Sequence, residues 1–125
     1  MDLDLADIIF LIGRTMLGGL YVFAGIRHFT ILDKGTAAVA GRGVPFPRAV
    51  FMGGSIFEAI CGALLMLGIW PVEMSLALFV FTLAASFMLL DFWNKQEFER
   101  VVLFNNFASN IGVLGGLLIS AATAM

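Results

Sequence analysis

The chain alternates four long apolar segments with short polar connectors. The apolar segments lie at about residues 5–26, 46–67, 72–92 and 101–122. Each has the roughly 20 residues that a helix needs to cross the ~30 Å hydrocarbon core of a bilayer. None shows the strict alternation of a barrel strand, and lipid offers the backbone no hydrogen-bond partners. The pattern therefore predicts an all-α, integral membrane four-helix bundle, with residues 1–125 forming a single transmembrane domain.

The first apolar segment carries small and polar residues on one helical face. Residues at this spacing are Arg14, Gly18, Tyr21, Gly25 and His28. A guanidinium cannot lose its proton, and placing it in hydrocarbon costs from about 3 to more than 10 kcal/mol. We therefore expect this face to meet protein, and another helix to supply a counter-ion or a polar cavity for Arg14.

The connectors differ in length. The long one, Thr30 to Pro45, joins the first two segments, and its middle, Thr36 to Ala40, predicts a short interfacial helix. The second connector is tight, with Gly68 and Pro71 as a helix stop and restart.

Composition and charge narrow the class further. The sequence is 61% hydrophobic and only 13% charged, with a mean hydropathy of +1.02, whereas soluble domains have about 25% charged residues. The net charge is -2 and no basic patch is present, so we expect no nucleic acid partner. The expected surroundings are the lipid bilayer of the inner (cell) membrane.

The basic residues predict an orientation. Six of them flank the first and third connectors: Arg27, Lys34, Arg42, Arg48, Lys95 and Arg100. Neither terminus nor the second connector has a lysine or arginine. Because basic connectors stay in the cytoplasm, both termini are predicted on the non-cytoplasmic side.

Two opposite charges are predicted to share one depth in the membrane. Arg14 lies nine residues in from Leu5, and Glu58 lies nine residues in from Leu67. Each is then about 14 Å below the outer surface. A buried ion pair would be either a structural clasp or part of a cavity where a quinone-like headgroup or a proton is handled.

Polar residues on the last two helices extend this predicted site. Asn106 and Asn110 are one turn apart, near mid-membrane. We expect them either to hold helices together by hydrogen bonds or to contact a ligand. Three hydroxyl residues of the third helix are expected to bond to carbonyls of their own preceding turn: Ser75, Thr82 and Ser86. A stripe of small residues on the last helix predicts a packing seam: Asn105, Ser109, Gly112, Gly116 and Ser120.

A second cluster is predicted at the cytoplasmic ends of the helices. His28 closes the first helix and Asp91 the third, so that they either meet to exchange a proton or serve as a helix cap and headgroup contact. The single histidine and single cysteine, Cys61, offer no metal-ligand spacing, so no metal site is predicted. Cys61 is expected to be buried and structural. No covalently bound cofactor is expected, and electrons would have to come from a partner or a lipid-soluble carrier such as quinone.

The ordered set of motifs resembles the DoxX family. The first segment, GRTMLGGLYVFAGIRHF at 13–29, is similar to the family's opening motif. The similarity continues through GVP at 43–45, EAICGALLMLG at 58–68, DFW at 91–93 and the last helix from Asn106 to Gly116. The resemblance implies a small four-helix membrane protein related to a membrane subunit of a quinone-linked sulfur oxidoreductase. Arg14, Glu58, His28 and Asp91 match the family's charged or polar positions.

Three functions follow as hypotheses. The first is an accessory or quinone-interacting subunit of a membrane oxidoreductase, with a membrane-bound or soluble redox partner protein. Its polar site would comprise Arg14, Glu58, Tyr21, Asn110 and Asn106. The second is a non-catalytic scaffold that binds a partner, or a second copy of itself, through the small-residue seam. The third and least favoured is a small transporter, because four helices leave little room for a pathway.

Overall fold

The structure, a computed structural model, describes residues 4–125, and the secondary-structure elements of that range are all helices. The helices are α1 (Leu5–His28), α2 (Leu32–Ala40), α3 (Pro47–Leu67), α4 (Pro71–Leu89) and α5 (Glu97–Ala124). Single 3-10 turns follow α1 and α4, at Phe29–Ile31 and Phe92–Asn94. Four helices of the described range are long and apolar enough to cross a membrane, which confirms the predicted fold class. The short helix between the first two spans is also present, and begins at Leu32 rather than Thr36.

The helix ends follow local sequence signals. Asp4 caps α1, since its side chain accepts a hydrogen bond from the Asp7 backbone N–H while the Asp7 side chain accepts one from Asp4. Both α3 and α4 begin at a proline, whose missing N–H costs nothing in a first turn. Gly68 ends α3 with a φ of 73°, a conformation that favours glycine, so the predicted helix stop is confirmed.

Glycines fix the packing of α1 against α3, the most extensive helix pair. A Cβ at Gly18 would lie 2.5 Å from the Gly62 carbonyl oxygen, and a Cβ at Gly62 would lie 2.6 Å from the Gly18 carbonyl oxygen. Seven residues further along α1, a Cβ at Gly25 would lie 2.6 Å from the Ser55 carbonyl oxygen. The two backbones therefore touch at both levels, and the antiparallel register of α1 and α3 is set there.

The remaining helices close the bundle unevenly. α4 packs against α5 and, less extensively, against α3, while α1 and α5 touch only slightly. A core cluster is shared by all four spans: Tyr21, Cys61, Leu65, Leu78 and Leu117. Burial of Cys61 confirms the expectation for that residue. Of the neighbouring spans in the bundle, α1 and α5 are therefore the least closely packed.

The connector helix α2 is held to the bundle by packing and by one ion pair. Gly35 lies under the ring of Phe51, with no room for a side chain, and Val39 is buried. Beyond α2, Arg42 Nη1 donates a hydrogen bond to Asp91 Oδ2 at 2.8 Å. This pair joins the first connector to the turn that follows α4.

Candidate functional site

A buried carboxyl group stands at the middle of α3. Glu58 is only 4% exposed, and its Oε1 atom has no hydrogen-bond partner among the described residues. The basic group that faces it is the His28 ring, whose Nδ1 lies 3.5 Å from Oε1. A buried polar atom without a partner is costly, and such atoms are uncommon in native proteins. Glu58 is therefore the first candidate for contact with a ligand.

The neighbouring imidazole has a defined hydrogen-bonding role. The Ser55 hydroxyl donates to the Phe51 carbonyl oxygen at 2.8 Å, so its proton is already used. Its oxygen lies 3.0 Å from His28 Nδ1 and can accept a hydrogen bond from that nitrogen. With the Ser55 proton on the Phe51 carbonyl oxygen, His28 Nδ1 is the donor to Ser55, and the second ring nitrogen is left for another partner.

Three hydroxyl residues on α4 bond across to other helices. The Ser75 and Ser120 hydroxyl oxygens lie 2.9 Å apart, and those of Tyr21 and Thr82 lie 2.5 Å apart. The third contact is a 2.9 Å hydrogen bond that Asn110 Nδ2 donates to Ser86 Oγ. The expectation that Ser75, Thr82 and Ser86 bond within their own helix is therefore wrong, because polar partners on α1 and α5 face them at bonding distance.

Two of these polar contacts and the Glu58 carboxyl group line one cavity of about 290 Å³. Its polar lining comprises Tyr21, His28, Glu58, Thr82, Ser86 and Asn110. Apolar side chains complete the wall, among them Leu20, Phe81, Leu89 and Val113. A second cavity of about 270 Å³ lies beside it and shares His28 and Glu58. The carboxyl and imidazole groups thus stand between two spaces inside the bundle. We call the first space the Glu58 cavity.

The predicted ion pair between Arg14 and Glu58 is not formed. Gly68 lies beside the Arg14 guanidinium, and Glu58 is ten residues before Gly68, or about 15 Å along α3. Arg14 and Glu58 would share one depth only if α1 and α3 started and ended level with each other. The contact between Gly18 and Gly62 sets a different register and places Arg14 beside the turn between α3 and α4.

The other predicted groupings are also rearranged. His28 does not meet Asp91, because its ring turns back toward Ser55 and Glu58 while Asp91 binds Arg42. Asn106 is exposed and lies outside the Glu58 cavity, whereas Tyr21 and Asn110 line it. The structure therefore brings together Tyr21, Glu58 and Asn110 from the predicted site and adds His28 from the second cluster.

Ser55, Thr82 and Ser86 were not predicted as members of the site. Ser55 lies three residues before Glu58 and therefore shares its helical face, which is the signal that would have found it. Thr82 and Ser86 are one turn apart, and this spacing also places them on one face of α4. Nothing in the sequence shows which helix that face meets.

Metal ligation finds no support in the part of the chain that the structure describes. Within residues 4–125, no group of three or more histidine, cysteine, aspartate or glutamate side chains could hold a metal ion. The chemistry available in the Glu58 cavity is hydrogen bonding and proton exchange by a carboxyl group, an imidazole, hydroxyls and an amide.

The fold and this polar interior define a multi-pass membrane protein, a four-helix bundle with an internal polar cavity. The DoxX family model matches residues 9–91, from the second turn of α1 to Asp91, two residues after the end of α4. The chain belongs to the DoxX family. Comparison with curated proteins and with solved structures gave no significant match.

Proposed function

We propose that the chain is an accessory, quinone-interacting subunit of a membrane oxidoreductase system, and that the Glu58 cavity holds the quinone headgroup. The observation that carries this proposal is the unpartnered Oε1 of Glu58, buried at mid-bundle in the wall of a cavity of about 290 Å³. A ligand that reaches it must be small at its polar end and apolar elsewhere. A quinone meets both conditions.

The hydrogen-bonding groups of the cavity suit a headgroup with carbonyl oxygens. Ser86 Oγ accepts from Asn110, so its own hydroxyl proton is free to be donated. Tyr21 and Thr82 share one hydrogen bond, which leaves one of their two hydroxyl protons available. Apolar residues such as Phe81 and Val113 supply a surface for a ring. These donors would bind one carbonyl oxygen while Glu58 faces the other.

In this proposal the chain handles protons and a partner protein handles electrons. Reduction of a quinone to a quinol consumes two electrons and two protons. The electrons would come from a membrane or soluble redox partner. The protons would pass through Glu58 and through His28, the last residue of α1, whose side chain is 30% exposed.

The test is extraction and mass spectrometry of lipids that co-purify with the protein in mild detergent. Wild type is compared with Glu58→Gln, and Glu73→Gln serves as the control because Glu73 is an exposed carboxylate at the start of α4. We expect near-stoichiometric quinone in wild type and in the control, and about tenfold less in Glu58→Gln. A tenfold loss corresponds to about 1.4 kcal/mol, the size of one hydrogen bond to a carboxyl group.

Two results would contradict the quinone proposal. One is the absence of quinone from folded wild-type protein when quinone is supplied during purification. The other is equal retention by all three proteins, which would mean that quinone binds elsewhere or only follows the detergent micelle.

A scaffold role is the second candidate, and one observation favours it. Asn105, Asn106 and Ser109 are exposed on α5, and a Cβ at Gly112 meets nothing within 4 Å. Polar side chains on the outside of a spanning helix are costly in lipid unless another helix covers them. A partner helix or a second copy of the chain would supply that cover.

A larger side chain at Gly112, on this exposed face of α5, tests the scaffold role without changing the Glu58 cavity. Gly112→Leu should abolish association, measured as co-purification of a partner or as the mass of the complex in detergent, while quinone retention stays unchanged. Gly53→Leu is the control, since Gly53 on α3 also faces open space. Association that survives Gly112→Leu would exclude this face.

We also propose that the protein lies in the inner membrane with both termini on the non-cytoplasmic side. Six of the seven lysine and arginine residues lie at the end of the bundle that holds α2 and the turn after α4, whereas Arg14 lies in α1 nearer the other end, where α1 begins and α5 ends. A reporter active only outside the cytoplasm, fused after Met125, should be active. Inactivity there, with activity of a fusion at Lys95, would reverse the orientation.

A further inference from the structure

Arg14 lies in a spanning helix, and no carboxylate among residues 4–125 pairs with it. The ion pairs within residues 4–125 are His28–Glu58, Arg42–Asp91 and Arg48–Asp33, and no carboxylate oxygen of that range lies within 4.0 Å of Arg14. Its Nε atom is buried and makes no hydrogen bond to a described residue. A guanidinium stays charged at any pH that a folded protein tolerates.

Among the described residues, the contacts of the Arg14 guanidinium are weak ones. The Phe10 ring centroid lies 5.5 Å from its Cζ, within cation–π range. The group occupies the space where a side chain at Gly68 would stand, with Nη2 2.9 Å from that Cβ position. Gly68 ends α3, and the negative end of a helix dipole offers only about half a charge. These contacts hold the guanidinium in place without neutralising it.

A cavity of about 250 Å³ opens beside Arg14, between α1 and α5. It is lined by Phe10, Gly13, Arg14, Leu17, Gly116, Ile119 and Ser120. The two glycines keep it open, since a Cβ at Gly13 would meet nothing within 4 Å and one at Gly116 would touch only Leu17. Ile119 is 68% exposed, so the rim of this cavity continues into the lipid-facing surface.

We propose that Arg14 binds the phosphate group of a membrane phospholipid in the leaflet that surrounds the turn between α3 and α4. A guanidinium presents a planar fork of N–H donors that matches two oxygens of a phosphate. Trp70, 63% exposed in that turn, marks the level at which headgroups lie. One acyl chain would lie along the apolar rim past Ile119. This site is separate from the Glu58 cavity and does not depend on the proposed function.

The phosphate chemistry allows two sources, a phospholipid headgroup or free inorganic phosphate. The apolar rim favours the lipid. Native mass spectrometry of the detergent-solubilised full chain separates the sources, with three added probes: phosphatidylglycerol, diacylglycerol with the same acyl chains, and inorganic phosphate. We expect a retained phosphatidylglycerol adduct, no diacylglycerol adduct, and no competition by inorganic phosphate.

Arg14→Gln should lower the retained phosphatidylglycerol by about tenfold, as expected for loss of a charge-assisted bidentate contact. Arg48→Gln is the matched control, because Arg48 is an exposed arginine at the opposite end of the bundle. Gly13→Leu fills the cavity, keeps the Arg14 side chain and should also remove the adduct, which keeps the test decisive if Arg14→Gln does not fold. Equal phosphatidylglycerol retention by wild type, Arg14→Gln and Gly13→Leu would overturn the proposal. Displacement of the lipid by inorganic phosphate would overturn its assignment to phospholipid.

Discussion

Glu58 and its neighbours make a chemical arrangement that stability alone does not explain. The carboxyl group is 4% exposed, yet one of its oxygens bonds to nothing in the described chain and the nearest imidazole nitrogen is 3.5 Å away. A clasp built for stability would bring the two groups to direct hydrogen-bonding distance. Active and binding sites, in contrast, keep strained or unsatisfied groups at a cost in stability.

We therefore expect Glu58→Gln to keep or raise the stability of the ligand-free protein. Glutamine has nearly the same shape and no charge, so the substitution should add up to about 1 kcal/mol to the free energy of unfolding. The measurement is thermal or denaturant unfolding in detergent, after removal of bound lipid. Glu73→Gln, at an exposed site, should leave the free energy of unfolding unchanged.

The opposite result would assign Glu58 a structural role. Breaking a true buried ion pair typically costs about 3 to 5 kcal/mol. A loss of that size in Glu58→Gln would show that the carboxyl and imidazole groups hold α1 and α3 together.

At the scale of the elements, two glycines decide how α1 and α3 meet. Gly18→Ala should destabilise the protein by about 2 kcal/mol or more, because its Cβ would stand 2.5 Å from the Gly62 carbonyl oxygen and push the helices apart. Gly53→Ala is the same substitution at an open position of α3. It should stabilise the helix by roughly 0.5 to 1 kcal/mol. Unfolding measurements on the two variants should therefore shift in opposite directions, and equal shifts would contradict the glycine contact.

The ion pair between Arg42 and Asp91 ties the first connector to the end of α4. The Asp91 side chain is 8% exposed and the two atoms are 2.8 Å apart, so Arg42→Gln leaves a carboxylate with its strongest partner gone. We expect a loss of about 1 to 3 kcal/mol in the free energy of unfolding. Arg48→Gln is the control, since Arg48 and Asp33 are 61% and 100% exposed and 3.8 Å apart. That exposed pair should contribute less than about 1 kcal/mol. Equal effects of the two substitutions would show that burial of Asp91 does not matter.

The elements were predictable from sequence, but their register was not. Segment length and apolar content gave the four spans, and Gly68 with Pro71 gave the tight turn, because these signals are local. The depth of Arg14 relative to Glu58 depends on where Gly18 meets Gly62, which is a contact between helices. Counting residues from helix ends cannot find it.

The same limit applies to the candidate site. The buried face of α1 holds Gly18, Tyr21 and Gly25, as the helical spacing predicts. From sequence alone, Thr82 and Ser86 are expected to bond within their own helix, because hydroxyls in membrane helices often bond to the preceding turn. Their hydrogen bonds to Tyr21 and Asn110 depend on which side of α4 is turned toward α1 and α5. That rotation is set by the packing of the whole bundle.

At the scale of the whole molecule, the weak contact between α1 and α5 suggests how a lipid-soluble ligand reaches the interior. α1 packs closely on α3, and α4 packs closely on α5, so the gap falls between the two pairs. Leu20 of α1 and Val113 of α5 both line the Glu58 cavity, and Leu20 is also 47% exposed to the outside. A ligand dissolved in the bilayer would then pass between these two side chains without crossing water.

Narrowing this gap should slow ligand exchange. Val113→Trp places a large ring between α1 and α5, and we expect uptake of added quinone by quinone-depleted protein to fall by roughly tenfold, a rise of about 1.4 kcal/mol in the barrier. Ile111→Trp is the control, because Ile111 is 58% exposed on the same helix and does not line the cavity.

The readout is the time course of quinone retention in detergent, with the final occupancy measured separately. A slower approach to the same occupancy would support access between α1 and α5. Unchanged rates in Val113→Trp would mean that the ligand enters by another route, and the second cavity beside His28 and Glu58 would be the next one to test.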